Sequence, residues 1–355
     1  MPPFAPAPTR SDSVDKLLRK GELARAPRSP RGRQRPATPP PPAEISLQIP
    51  RRVAKSRIEI IRAAGFDSVQ APAFDSIPWL VHGFSTRAGG VSTAYRTNQS
   101  SGQRAGELNL GFTSSDSREN VLENRRRFLK ALGVPTSMKL VTLKQIHSSS
   151  VLSVGENNAT DAEPCQGDGL ITSQPGILLA IQTADCIPVL LADVKKKAVA
   201  AFHAGWRGTV KRIVESGVGK MRVAFRSRPE DLIAAIGPGI AACCYAVGED
   251  VLTEFTSQFA YARELFHEVS DSDPIRRKYP MLFLSARPPG HSNLGPSLHL
   301  DLMEANRRQL LDAGLRPKAI TVIGDCTQCH NNRYFSYRAE QGFTGRMLSV
   351  IGIRA

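Results

Sequence analysis

The chain is poor in the residue types that would settle its class at a glance. Its 355 residues include only 7 histidines, 6 cysteines and 2 tryptophans. Six irregularly spaced cysteines do not make the disulfide framework of a small secreted domain, so a reducing, cytoplasmic setting is expected. No apolar run reaches the roughly 18 residues that span a bilayer. The N-terminus lacks a compact apolar stretch followed by a small-residue cleavage site, so a Sec signal is not expected. No repeat recurs at solenoid periods.

Basic charge is abundant but uneven. Residues 1–57 carry 13 Lys and Arg against 4 Asp and Glu, which is +9 of the total +15. They also hold 12 of the 26 prolines, including Pro39–Pro42. With few aromatics and no long apolar pattern, residues 1–70 are expected to be a disordered basic Pro/Arg-rich tail. Such a tail is able to touch RNA or an anionic membrane, although a solvated tail is the plainer reading.

A folded domain is expected over residues 71–355. IPWLVHGFSTRAGGVS reads as a strand ending in a turn at Gly89-Gly90, and Thr97–Gly106 as a polar loop. SDSRENVLENRRRFLKALG reads as a helix capped by Ser115 or Ser117, with Val121, Phe128 and Leu129 inward and Gly133 at its end. KLVTLKQIHSSSVLSV reads as a strand carrying His147. DGLITSQPGILLAIQTADCIPVLLAD reads as two apolar runs split by a turn at Gln174-Pro175-Gly176, AVAAFHAGW, DLIAAIGPG, AITVIGD and RMLSVIGI read as strands, and TVKRIVESGVGKMRVAF and DLMEANRRQLLDAG as helices. Strands that are apolar throughout, alternating with helices, give an α/β class with mixed sheets flanked by helices in one compact domain.

Three residues within this domain carry candidate chemistry. His147, Cys186 and His203 fall within 57 residues, beside the apolar strands. One thiolate and two imidazoles suit zinc or copper, and three protein ligands leave a position open for water or substrate. Cys186 precedes Pro188, which places it where a turn meets a strand; a buried structural cysteine is the plain alternative. Asp185 is a candidate general base or histidine orienter. Trp206 offers a face for stacking on a flat base, and Arg207 a fork for phosphate or carboxylate. Cys326-Thr327-Gln328-Cys329-His330 matches the c-type haem pattern, but haem attachment would require export, so a second metal site or an incidental match is preferred. Cys243 and Cys244 are expected to pack beneath the Gly237-Pro238-Gly239 turn, a possible anion cradle.

GFSTRAGGVS, LNLGF, KQIH, DGLIT, TADCIPVLLAD, AFHAGWRGTV, IGPGIAACCYAVGEDV, DCT, YFSYR and TGRMLSVIG occur in this order. Together they closely resemble the laccase-domain family, formerly called multicopper polyphenol oxidoreductases. The resemblance covers residues from about 75 to 353. It implies purine nucleoside phosphorylase activity on adenosine, inosine, guanosine and S-methyl-5'-thioadenosine, adenosine deaminase activity, and a fold similar to the deamidating-toxin cysteine hydrolases. It also implies that His147, Cys186 and His203 are the catalytic metal trio, with zinc as cofactor and copper reported for some members. An oxidase activity fits poorly, because several coppers need more than 7 histidines.

Within that resemblance, Arg87 is the first candidate for the phosphate or ribose side and Arg207 the second, with Asp185 managing protons. Purine nucleosides and phosphate are the expected partners, and nucleic acid is disfavoured. Departures from the family pattern occur at Ala246, at Ala339-Glu340 and in the polar stretch before Leu108. Two other readings stay open. One is a cysteine hydrolase or amidase acting on a cell-wall precursor, with Cys186 as nucleophile and His203 as base. The other is a non-enzymatic nucleotide- or RNA-binding protein that uses the basic tail.

Overall fold

The computed structural model describes residues 59–63, 66–95, 106–155, 164–269 and 297–355. The expected tail, up to residue 58, and the expected loop at 97–105 lie outside the described residues. The first strands are β1 (Glu59–Ala63), β2 (Phe66–Gln70), β3 (Leu80–Ser85), β4 (Ala88–Gly90), β5 (Gly106–Glu107), β6 (Lys139–Val141), β7 (Val151–Ser153) and β8 (Gly169–Thr172). They are followed by β9 (Ile177–Thr183), β10 (Ile187–Asp193), β11 (Ala198–Ala204), β12 (Leu232–Ile236), β13 (Phe266–Val269), β14 (Ser297–Leu300), β15 (Ile320–Val322) and β16 (Met347–Ile353). Helices are α1 (Arg118–Ala131), α2 (Trp206–Val210), α3 (Ile213–Phe225), α4 (Glu249–Gln258) and α5 (Leu302–Asp312).

Two six-stranded mixed sheets dominate, ordered β1-β2-β3-β16-β9-β6 and β15-β12-β10-β11-β8-β7. The two-residue side-chain period explains how they stack. On β10, Ile187, Val189 and Leu191 face α2–α5, while Leu190 and Ala192 join Leu179, Ile181 and Ile351 of the other sheet. On β9 and β16, Leu178, Ala180, Leu348 and Val350 face α1. The order of layers is therefore helix, sheet, sheet, helix. Each central strand is covered on both faces, and every residue of β10, β11 and β16 is buried. This is why these strands read as unbroken apolar runs although most pairs are antiparallel. The parallel pairs β6–β9, β7–β8 and β12–β15 sit at the sheet edges.

Local signals agree with several elements. Ser117 caps α1 by accepting the Asn120 N–H at 3.1 Å, a contact worth about 1 kcal/mol. Gly133 takes φ +65 just past the helix, which a glycine adopts without cost from a Cβ. Ordered structure begins before Ala71, however. β1 and β2 pair with each other, and Val69 of β2 pairs with Phe84 and is fully buried. Strands of only five residues, one interrupted by Arg62 and the other by Asp67, hide this from periodicity. Among the described residues no helix is long and apolar enough to cross a membrane.

Candidate active site

Asp168 is the hub of the site. It is fully buried at the start of β8. Its Oδ1 accepts the His147 N–H at 3.0 Å, and its Oδ2 accepts the N–H groups of Ile146 at 3.3 Å and Ser148 at 2.6 Å. The Ser148 hydroxyl adds a bond to Oδ2 at 2.7 Å. The segment carrying His147 is therefore a loop wrapped on a carboxylate, with His147 at φ 57, and not the strand expected for it. Only β6 and β7 at its ends are extended. Gln145 fixes the loop to β9 by exchanging side-chain bonds with the backbone of Gln182, at 2.7 and 2.8 Å.

The same carboxylate holds the second histidine. His203 Nδ1 lies 2.8 Å from Asp168 Oδ1. Because the carboxylate accepts, Nδ1 carries the proton, and Nε2 is left for the site. Cys186 Sγ lies 3.8 Å from His147 Nε2, and the two imidazole rings meet edge to face at 4.8 Å. The three potential ligand atoms all lie within 4.8 Å of one another. His203 is buried, Cys186 half-buried and His147 exposed, so the trio opens to solvent on the His147 side.

Gly205 makes this approach possible. A Cβ there would stand 2.9 Å from Cys186 Sγ and 3.0 Å from His147 Cδ2. At Gly208 a Cβ would meet the Ser148 carbonyl at 3.0 Å. Both glycines make room for the His147 loop and the Cys186 side chain.

Charge relations follow from the geometry. Burial alone would raise the Asp168 carboxyl, but the bonds from His203 and Ser148 hold it down at about 2. Burial likewise disfavours charge on Cys186 and His203, yet each stabilises the other. The thiol is drawn down to about 6 by the His203 charge and its histidine bonds, and His203 is raised to about 9 by the thiolate and Asp168. The side chains by themselves favour a thiolate–imidazolium pair, and a thiolate is the form that binds metal.

Asp185 does not orient a histidine. It sits at φ 88 and is buried, with Oδ1 accepting from Thr327 Oγ1 at 2.6 Å and Oδ2 from the Arg338 N–H at 2.7 Å. Its carbonyl accepts the Ile240 N–H at 2.8 Å. Burial raises its carboxyl above the usual range against these bonds. Its place is to hold the tight turn that presents Cys186.

Residues 81–354 match the family described as multi-copper polyphenol oxidoreductase laccase. The chain belongs to this family. It is 38% identical over 291 residues to a purine nucleoside phosphorylase of Deinococcus radiodurans, covering 82% of this chain and 94% of that one. It is 35% identical to the purine nucleoside phosphorylase YlmD of Geobacillus stearothermophilus, covering 78% and 94%. The crystal structure of YlmD from that organism superposes with a TM-score of 0.64 at 33% identity, over 83% of this chain and 99% of that one. The Bacillus licheniformis hypothetical protein YfiH superposes with a TM-score of 0.67 at 27% identity, over 84% and 99%.

Two further expectations are corrected, at Arg87 and at the Gly237–Gly239 turn, and two residues join the site. Arg87 is not available to phosphate. It is buried, and it bonds Glu107 Oε2 at 3.0 Å, Glu340 Oε1 at 3.1 Å, Asn331 at 2.7 and 2.9 Å and the Tyr95 carbonyl at 3.2 Å. Glu340, one of the departures from the family pattern, is thus absorbed by Arg87. The glycine N–H groups of the Gly237–Gly239 turn are also spent, on the carbonyls of Pro188 and Asp325, so that turn is no anion cradle. Arg207 is exposed, stacked 4.4 Å over the half-buried Trp206 ring, with no ion pair among the described residues. The residues missed by sequence reasoning are Asp168 and Arg338. Arg338 lies over the Tyr245 ring at 5.3 Å and donates to the Ala246 carbonyl at 2.8 Å. Tyr245 is pushed up by burial and then by the Cys186 charge, and eased by Arg338 and Arg207, so these groups share one neighbourhood.

Proposed function

We propose that this protein is a metal-dependent purine nucleoside phosphorylase, converting adenosine, inosine, guanosine or S-methyl-5'-thioadenosine and phosphate to base and pentose 1-phosphate, with adenosine deaminase activity in the same pocket. The observation that carries the reading is the solvent-facing Cys186–His147–His203 trio, braced by a buried carboxylate, in a chain 38% identical to a named purine nucleoside phosphorylase. Thiolate and imidazole donors at this spacing fit zinc, with copper as a second choice.

His147 Nε2, Cys186 Sγ and His203 Nε2 would hold the ion. When bound, it supplies Lewis-acid charge stabilisation next to the substrate. Asp168 keeps His203 in the tautomer that points Nε2 inward. Asp185 holds the Cys186 turn. The Trp206 and Tyr245 rings offer faces for the purine, while Arg207 and Arg338 supply positive charge for phosphate beside C1′ of the ribose.

The test is to incubate the purified protein with adenosine and inosine, with and without phosphate, and to identify products. Phosphate-dependent release of adenine and hypoxanthine is expected, with inosine and ammonia from adenosine in the absence of phosphate. No base release under any condition would overturn the reading.

A cysteine hydrolase is the second reading. Its support is the line Cys186–His203–Asp168, a thiol, an imidazole and a carboxylate in the order of a nucleophile, base and orienter. A strong chelator separates the two. It abolishes a metal-dependent phosphorylase and leaves a thiol hydrolase active.

A further inference from the structure

Four further cysteines gather outside the trio. The loop after β12 and the loop after β15 continue side by side from a parallel strand pair. Gly239 N–H donates to the Asp325 carbonyl at 3.2 Å, and Thr327 N–H donates to the Gly239 carbonyl at 3.0 Å. This pairing brings Cys243 and Cys244 of one loop to Cys326 and Cys329 of the other. All four sulfurs lie within 4.8 Å of one another. Cys329 Sγ is 3.5 Å from Cys243 Sγ and 3.4 Å from Cys244 Sγ. The Ala241 N–H points at Cys326 Sγ from 3.5 Å, and the Cys329 N–H bonds the same sulfur.

We propose that Cys243, Cys244, Cys326 and Cys329 bind a structural zinc ion that clips these two loops together. Tetrahedral zinc thiolate has Zn–S bonds of about 2.3 Å, so its sulfurs stand about 3.8 Å apart. The cluster matches that size. An iron–sulfur cluster spreads its cysteines around several irons and needs a wider cage. A disulfide needs one preferred pair, whereas Cys329 stands nearly equidistant from two thiols. Four sulfur donors select a thiophilic ion, and backbone N–H groups aimed at Cys326 stabilise a bound thiolate. Cys326 is buried while Cys243 and Cys329 are exposed, so the ion is loaded from the surface.

The clip has a purpose in the fold. The loops it joins carry Ile240 and Thr327, which hold the Asp185 carbonyl and carboxylate. A Cβ on Gly239 would stand 2.9 Å from the Asp185 carbonyl, so the loop backbone presses directly on the turn that presents Cys186. The zinc would lock the wall behind the trio without touching substrate. The inference stands whatever the trio binds.

The test counts metal in the full chain, purified under reductant with no added chelator. The Cys186→Ala variant is expected to keep one tightly held zinc per chain, with these four thiols shielded from a thiol-specific reagent. When Cys186→Ala protein is loaded with cobalt(II), it is expected to show the intense thiolate-to-cobalt charge-transfer absorption that histidines alone do not give. Cys243→Ser/Cys329→Ser is expected to lose one zinc equivalent relative to wild type. If that double variant fails to fold, the Cys186→Ala measurements decide alone. Cys186→Ala protein without zinc whose four thiols react freely would overturn the proposal, as would a disulfide among them in the native wild-type protein.

Discussion

The Asp168 carboxylate and the His203 imidazole meet at 2.8 Å, both buried, and the same carboxylate gathers three consecutive backbone N–H groups around His147. One side chain thus positions two members of the trio, one through its ring and the other through its backbone. Asp168→Asn keeps the size but loses acceptor capacity and charge. We expect a 10- to 100-fold loss of zinc affinity, as is usual for a carboxylate behind a metal-bound histidine. Stability should fall by about 2 kcal/mol, because buried donors lose their acceptor. Zinc titration and urea unfolding of the same variant check both. Unchanged zinc affinity would show that Asp168 serves folding only.

Gly205→Ala isolates the closeness of the trio. Gly205 has φ −72, which alanine accepts, so the variant tests space and not backbone strain. The new methyl group would sit 2.9 Å from Cys186 Sγ. Overpacking of this kind costs about 1–3 kcal/mol. Zinc affinity and turnover should both fall at least tenfold while the circular dichroism spectrum stays native. Full activity in the variant would mean that the His147 loop yields freely.

The trio was legible in the sequence because its residues are rare, reactive and adjacent to strands that betray themselves as apolar runs. Cys186, ahead of Pro188, falls where a turn meets β10, as expected, and His203 is the penultimate residue of β11. Asp168 was not legible. A lone Asp ahead of Gly169 looks like an ordinary turn residue, and its role exists only once the 146–148 loop folds over it. Arg87 misled for the converse reason. Its partners Glu107, Asn331 and Glu340 lie 20, 244 and 253 residues away, so nothing local shows that its guanidinium is already engaged. The Cys243–Cys329 contact spans 86 residues and depends on the parallel pairing of β12 with β15. The layer order was likewise hidden, since an unbroken apolar strand does not say whether a sheet or a helix covers each face.

Arg87 and Arg207 should therefore behave differently. Arg87→Ala strands two carboxylates, Glu107 and Glu340, that are mostly buried. Breaking such a network costs about 3–5 kcal/mol. The expected effect is a lower melting temperature, with KM for phosphate unchanged in the fraction that folds. Arg207→Ala removes an exposed cation and the cover of Trp206. It should leave the melting temperature within about 2 °C and raise KM for phosphate or nucleoside several-fold. Steady-state kinetics beside thermal unfolding distinguish the two, and a phosphate KM effect confined to Arg87→Ala would restore Arg87 as a ligand.

His82 on β3 gives the fold a pH dependence of its own. Its Nε2 accepts the Ala71 N–H at 3.0 Å, and its ring meets Phe74 edge-on at 4.9 Å. Burial lowers it to about 4 from an ordinary 6.5. The folded protein keeps the ring neutral while the unfolded chain takes up a proton below 6.5. Stability from this group is therefore complete above pH 6.5 and is lost as pH falls toward 4. Linkage puts the loss at about 2–3 kcal/mol by pH 4.5. His82→Gln retains an acceptor for the Ala71 N–H and does not titrate. Urea unfolding from pH 7.5 to 4.5 should show the wild type losing this amount relative to the variant. Parallel curves for the two proteins would mean that His82 is protonated in the folded state.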